Sequence, residues 1–192
     1  MAVNNPKVDF TQRQILESKY GKSRHNILLI LVFTVINVVL LVTNSNSYFL
    51  FSAYIPYMLA DLGMLFTGSY PKEYYMEMEI YGYDFHGKGF LWAMLAAGAV
   101  VLAVYLLCWI FSKKNRMGWM IAALVLFCFD TILFVHMLGF STDLILDYVF
   151  HGWVIVSLAM GISAGSKLKK LPEEPETPVL ETISAEEPSE EE

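Results

Sequence analysis

The sequence predicts an all-α membrane protein, and three observations support this prediction. Of its 192 residues, 56% are hydrophobic and only 17% are charged, which is too apolar for an ordinary water-soluble domain. The charges lie in short clusters separated by apolar runs long enough to cross about 30 Å of hydrocarbon. The basic residues are unevenly distributed among these clusters. We therefore expect a bundle of four transmembrane helices plus a re-entrant or interfacial helical hairpin, with five transmembrane helices as the alternative.

The distribution of Lys and Arg favours four crossings. The chain contains five apolar runs: 27–42, 48–66, 90–111, 117–140 and 144–164. If all five crossed, the basic residues would divide seven to six between the two sides. If the second run does not cross, they divide 11 to two, as the positive-inside rule prefers. The predicted spans are 27–43, 90–111, 117–140 and 144–165, with both termini cytoplasmic.

The second run, residues 47–67, is a poor lipid-facing helix because Pro56, Asp61 and Gly63 interrupt it. Irregular backbone survives at membrane depth only where it is buried in protein or lines a cavity. We predict a re-entrant hairpin followed by an outer loop over 68–89. The five tyrosines of that loop suggest anchoring at the headgroups, with partner or ligand binding as the alternative.

The two terminal segments differ from the membrane domain, residues 27–166. Residues 1–26 form a predicted cytoplasmic segment, with an amphipathic pattern over 6–22 that favours a surface helix. Residues 167–192 form a predicted disordered cytoplasmic tail, since its last 21 residues contain nine glutamates and four prolines. The tail is either a solvated extension or a docking segment for a cytoplasmic partner.

The candidate chemistry lies in residues 129–153, an apolar stretch with five ionisable side chains: Asp130, His136, Asp143, Asp147 and His151. Ionisable groups within a membrane segment are functional candidates by default. The short GFST link between the last two apolar runs predicts that they form an antiparallel helical hairpin. In such a hairpin, two residues at the same depth, one on each helix, have position numbers that add up to a nearly constant value. This rule places Asp130 level with His151 and His136 level with Asp147. The first pair is the preferred candidate because Asp130 and His136 point in different directions on their helix.

Each of these residues also has a purely structural explanation. Asp143 follows Ser and Thr at a helix start and is predicted to be an N-cap, His136 suits a helix end near the interface, and Asp147 is favoured by the helix dipole. Asp130 either makes one buried hydrogen bond, to the neighbourhood of Thr131, to Asn37 or to His151, or acts as a relay or ligand. Asp61 is a further candidate, explained by irregular backbone around it. Small residues spaced four positions apart predict helix packing through Ser157, Gly161 and Gly165.

Several function classes find no support in the sequence. It contains no phosphate-binding glycine loop, paired CxxC, HExxH or GxSxG motif. We therefore expect no catalytic residues, cofactor or metal, although Ser52 beside His151 stays open as a nucleophile. The basic clusters are too short for a nucleic-acid surface and more simply contact anionic lipid.

The segment from Met117 onward, with FDT, FHGWV and KLKKLPEE, resembles small uncharacterised multi-pass membrane proteins of Gram-positive anaerobic bacteria, and YIPYMLADLG extends the likeness. Such proteins have no assigned activity. The resemblance therefore implies a bacterial cytoplasmic membrane and identifies no functional residue.

Two functional hypotheses follow. The first is a structural, scaffolding or accessory subunit that contacts a membrane or cytoplasmic protein partner. The alternative is a small proton- or cation-coupled transporter or channel that uses a buried pair, Asp130 and His151. An enzyme is disfavoured.

Overall fold

The computed structural model describes residues 12–45, 47–80 and 82–171, and within them every regular element is helical. The helices are α1 (Gln12–Val42), α2 (Tyr54–Phe66), α3 (Lys72–Glu77), α4 (Lys88–Phe111), α5 (Met117–Leu138) and α6 (Ile145–Leu168), with a 3₁₀ turn at Thr142–Leu144. The predicted acidic tail over 172–192 and the first 11 residues lie outside the described ranges.

Four helices, α1, α4, α5 and α6, are long and apolar enough to cross a membrane, and α2 is a shorter apolar helix. The predicted fold class is therefore confirmed. The first helix differs in extent from the predicted span, because its 31 residues run without a break from Gln12. Leu16 and Tyr20 are buried in the protein core, so residues 12–26 continue into the first span as one helix; the surface position predicted for residues 6–22 stays a prediction.

The segment containing α2 enters the bundle and leaves it at the same end. After α1 ends at Val42, an irregular stretch turns back until the Ala53 amide meets the side chain of Thr34, about 12 Å from the end of α1 at 1.5 Å per residue. The chain then returns along α4. Pro56 lies against Gly98, whereas Gly63 lies against Leu91, nearer the start of α4. The backbone path is thus re-entrant.

Neither Pro56 nor Gly63 interrupts α2, contrary to the prediction. Proline is tolerated in the first turn of a helix because the amide it lacks would have no helical partner there. A Cβ on Gly63 would lie 2.9 Å from Leu91 Cδ1 and 3.3 Å from Leu91 Cα. This glycine therefore permits close packing of α2 on α4.

The two ends of the bundle have opposite character. Tyr20 donates to the Ser112 carbonyl (2.6 Å) and the Asn115 amide donates to the Gly165 carbonyl (3.0 Å), so the start of α1, the α4–α5 loop and the end of α6 meet. We call this the basic end, because ten of the described basic residues lie here: Arg13, Lys19, Lys22, Arg24, Lys113, Lys114, Arg116, Lys167, Lys169 and Lys170. Among described residues the opposite end holds only Lys72 and Lys88.

That opposite end, the aromatic end, is covered by residues 67–80 and 82–87. Tyr70 stacks on Tyr74 with ring centroids 4.4 Å apart, and the buried Tyr75 donates to the Met64 carbonyl at the end of α2 (3.1 Å). These tyrosines bind to each other and to the end of α2. Their role in the described structure is therefore to hold the loop between α2 and α4 on the bundle.

Helices α1 and α6 pack along a line of small residues, which we call the α1–α6 seam: Ser23, Asn26, Ser157, Gly161 and Gly165. Ser23 donates to the Ser157 carbonyl (2.6 Å), and the Asn26 amide donates to the Ser157 hydroxyl (2.5 Å). Gly161 faces Ser23, while Gly165 faces residues of α1 and of the α4–α5 loop. The small residues that recur every four positions on α6 thus lie where two helices approach closely.

Candidate functional site

The irregular stretch before α2 is fixed by polar side chains of the first long helix. Asn37 is fully buried, donates to the Phe49 carbonyl (2.6 Å) and accepts from the Phe49 amide (2.8 Å). Both backbone groups of one residue are therefore bonded by one side chain. Next to it, Phe51 adopts a positive φ of 72°, and its ring lies 4.0 Å from that of Phe150 on α6.

The start of α2 is capped by two side chains from other helices. The first amides of a helix have no intrahelical partner, and the N-cap residue Ala53 has no side-chain acceptor of its own. The Ala53 amide donates to Thr34 Oγ1 at 2.7 Å. The amides of Tyr54 and Ile55 donate to Asp130 Oδ2 and Oδ1, each at 2.8 Å. The next residue is a proline, so every free amide here has a partner.

This arrangement explains how a carboxylate is tolerated within the apolar helix α5. Asp130 has 0% of its surface exposed, and an unpaired charge at such a site is costly. Two amide donors and the positive end of the α2 dipole compensate for the lost hydration. The hydrogen-bond partners are not Asn37 or the neighbourhood of Thr131, as the sequence suggested, since Thr131 bonds to Phe127 of its own helix.

His151 lies beside this carboxylate but is not hydrogen-bonded to it. Its Nε2 is 3.9 Å from Asp130 Oδ2, beyond hydrogen-bond range. Its Nδ1 lies 2.8 Å from the Asp147 carbonyl, which can only accept, so Nδ1 carries a proton. The ring is stacked between Phe127 (5.2 Å) and Phe134 (4.7 Å). The imidazole is therefore fixed in orientation, with its second nitrogen turned toward Asp130.

Two buried polar atoms near this site have no hydrogen-bond partner among the described residues. They are Nε2 of His151 and the hydroxyl of Tyr105 on α4, both in side chains that are at most 4% exposed. Buried polar atoms are nearly always bonded to protein or to ordered water. Each of these atoms can therefore form a hydrogen bond with a water molecule.

No described hydrogen bond joins the side chains of the other polar residues of the hairpin to this pair. His136 is exposed on the last turn of α5, Asp147 is only 8% exposed on α6, and no described contact joins them. Asp143 is exposed and is not the N-cap, because the Ser141 hydroxyl accepts from the Asp143 amide (3.3 Å). The serine two residues earlier performs the capping role predicted for the aspartate.

Asp61 lies within regular helix, so irregular backbone does not explain it. The Tyr70 hydroxyl donates to its carboxylate, joining α2 to the loop that follows it. Burial raises the pKa of Tyr70 above its ordinary value, and the hydrogen bond and negative charge of Asp61 raise it further. Tyr70 therefore remains a proton donor well into the alkaline range.

The described residues show no group of three or more His, Cys, Asp or Glu side chains that could hold a metal ion. Ser52, the serine left open as a nucleophile, is 2% exposed and its hydroxyl pairs with that of Tyr48 at 2.9 Å. The contact described for Ser52 is thus structural.

The sequence interpretation missed Thr34 and the backbone of residues 53–55. A signal for Thr34 exists, because Thr34 and Asn37 are the polar residues three positions apart in an apolar span and therefore share a face. The backbone amides carry no such signal, since every residue except proline has one.

No family model matches the chain, and no curated protein or solved structure matches it either. The class of protein that the fold defines is a multi-pass helical membrane protein with a re-entrant segment.

Proposed function

We propose that the protein is a structural or accessory subunit of a membrane assembly, and that its buried charges stabilise its own re-entrant segment. The observation that supports this is the use of both Asp130 oxygens to cap α2. A carboxylate engaged in this way is costly to displace, since its displacement leaves two backbone amides without an acceptor. The basic end would face the cytoplasm of a bacterial cell, following the positive-inside rule.

A comparison of Asp130 with Thr34 tests this role. Both residues accept from consecutive amides of the same turn, but only Asp130 has an ionisable side chain. Asp130→Asn and Thr34→Val should each lower the unfolding temperature, because each removes an acceptor from a buried amide, at about 1–3 kcal/mol. Proteoliposomes containing the parent protein should show no proton or cation flux above protein-free vesicles. Flux that is lost in Asp130→Asn and retained in Thr34→Val would contradict the proposal.

The accessory role makes a separate prediction about assembly. Protein extracted from its native membrane in mild detergent should run as a complex of fixed stoichiometry with a second membrane or cytoplasmic protein. The aromatic end and the acidic sequence of residues 172–192 are the proposed contact regions, because neither belongs to the four long helices. Migration as a lone subunit after cross-linking in intact membranes would count against this role.

The unpartnered Nε2 of His151 favours one alternative, a proton- or cation-coupled carrier. Histidine titrates in the physiological range, and this nitrogen faces a carboxylate oxygen 3.9 Å away. In that case His151→Gln should abolish pH-driven flux and leave the unfolding temperature nearly unchanged, since Phe127 and Phe134 can still pack on the side chain. Under the structural role, the same variant has no flux to lose.

A further inference from the structure

A groove of about 470 Å³ lies between α1 and α6 and opens at the basic end. Lys19, Lys22 and Lys167 line it, all three are exposed, and no carboxylate contributes to its walls. Neither of the ion pairs found in the described part of the chain involves these lysines. The groove therefore has three positive charges without a described acidic partner.

Along the length of the groove the lining changes from cationic to a mixture of apolar and small polar side chains, the polar ones being Ser23, Asn26, Ser157 and Ser163. Beyond the lysines, Trp153 and Met160 line its wall, and both are exposed on the outer face of α6, at 47% and 58%. From Lys167 to Trp153 the helix rises about 21 Å at 1.5 Å per residue. This exceeds half of the roughly 30 Å hydrocarbon core, so the groove extends from headgroup depth through one leaflet.

We propose that this groove binds one anionic phospholipid, with its phosphate at Lys19, Lys22 and Lys167 and an acyl chain along Trp153 and Met160. The charge selects an anionic headgroup, as basic pockets between transmembrane helices do. The apolar wall selects a lipid over a free inorganic anion, because only a lipid has an acyl chain to cover it.

A neighbouring cavity of about 410 Å³ at the same end fits this role less well. Glu17 lines it and pairs with Arg13 (3.2 Å). Arg24, also in its wall, donates to the Trp109 carbonyl (3.0 Å) and lies 4.9 Å from the centre of that indole. Its arginines are thus already engaged, unlike the lysines of the groove.

Lipid retention by the full chain tests the proposal. The protein is equilibrated with vesicles of equal parts phosphatidylglycerol and phosphatidylcholine, and native mass spectrometry then counts the lipids that stay bound. The parent should retain one phosphatidylglycerol. The triple variant Lys19→Gln/Lys22→Gln/Lys167→Gln should retain it less, on the order of tenfold or more. The matched control is Lys114→Gln/Lys169→Gln/Lys170→Gln, which removes the same charge from the same end and should behave as the parent.

A second measurement on the parent does not depend on the lysine variant folding. Phosphatidylglycerol with brominated acyl chains should quench tryptophan fluorescence more than brominated phosphatidylcholine does, and Trp153→Phe should abolish that difference. Equal retention of the two lipids, equal loss in the control variant, or displacement by millimolar inorganic phosphate would overturn the proposal. A zero-length carbodiimide link between a groove lysine and a glutamate of residues 172–192 would assign the groove to the chain's own tail and overturn it too.

Discussion

The polar residues around Asp130 and those of the α1–α6 seam are comparably buried, but they bond to different kinds of backbone. Around Asp130, side chains accept from amides at the start of α2 that have no helical partner. In the seam, Ser23 donates to a carbonyl inside α6, which a regular helix already provides with a donor. Loss of a polar group should therefore be costly around Asp130 and cheap in the seam, where shape matters more than hydrogen bonding.

Asp130→Ala should have the largest effect. It leaves the amides of Tyr54 and Ile55 without acceptors, at about 1–3 kcal/mol for each, so we expect about 2–6 kcal/mol of lost stability in thermal or chemical unfolding of the reconstituted protein. Asp143→Ala is the control, because that carboxylate is exposed and should change stability by less than about 0.5 kcal/mol. If the two variants lost the same stability, Asp130 would contribute no more to stability than an exposed carboxylate does.

Gly161→Val should have the next largest effect. It tests whether close packing determines the stability of the α1–α6 seam. A Cβ at this position would lie 2.6 Å from Ser23 Oγ and 2.9 Å from Met120 Sδ, so α1 must move away from α6. Overpacking of this kind costs about 1–3 kcal/mol. Gly152→Val on the same helix is the matched control, because nothing lies within 4 Å of its Cβ position. If both variants unfold at the same temperature, close packing does not determine the stability of the seam.

Tyr70→Phe tests the hydrogen bond between Tyr70 and the carboxylate of Asp61 on α2. We expect a loss of about 1 kcal/mol at neutral pH from the missing hydrogen bond. Because the folded protein raises the pKa of Tyr70, the contribution is fully present below the ordinary value near 10 and declines as the pH rises above it. The unfolding temperature of the parent should therefore fall more steeply above pH 10 than that of the variant.

Tyr83→Phe is the control for this alkaline effect, since its ring packs on Phe66 and Phe85 and no described hydrogen bond joins its hydroxyl to a carboxylate. Its pH profile should follow that of the parent. A profile of Tyr70→Phe that coincides with both would show that Asp61 and Tyr70 are not coupled.

Ser23→Ala should have the smallest effect. It removes the hydrogen bond to the Ser157 carbonyl, but that carbonyl keeps its helical donor, so the loss should stay below about 1 kcal/mol. The measurement is again the unfolding temperature, with Gly161→Val beside it. A loss as large as that of Asp130→Ala would mean that the seam depends on its hydrogen bonds after all.

The sequence predicted those features that follow from hydropathy and from antiparallel geometry. Long apolar runs predicted the four long helices. The constant-sum rule for a hairpin brought Asp130 level with His151, and the structure places the two 3.9 Å apart. Both arguments work because a helix has a fixed rise and a short link fixes the direction of its neighbour.

The cap on α2 could not be predicted in this way. Its donors are backbone amides, which are common to all residues, and the segment before it is irregular, so no periodicity relates Tyr54 to Asp130. Pro56 was misinterpreted for a related reason. Whether a proline breaks a helix depends on its distance from the helix start, and here the start at Tyr54 is determined by side chains of other helices.

The cap on α2 has a consequence for biosynthesis, because its acceptor is translated 76 residues after Tyr54. A nascent chain that has reached α4 already contains Thr34 but has no acceptor for the amides of Tyr54 and Ile55. At about 5–20 residues per second the delay is roughly 4–15 s. We expect the re-entrant segment to complete its insertion only after α5 has entered the membrane. A cysteine at Ser52 should therefore react with an impermeant thiol reagent in ribosome-stalled chains that end before Asp130, and be protected in the finished protein.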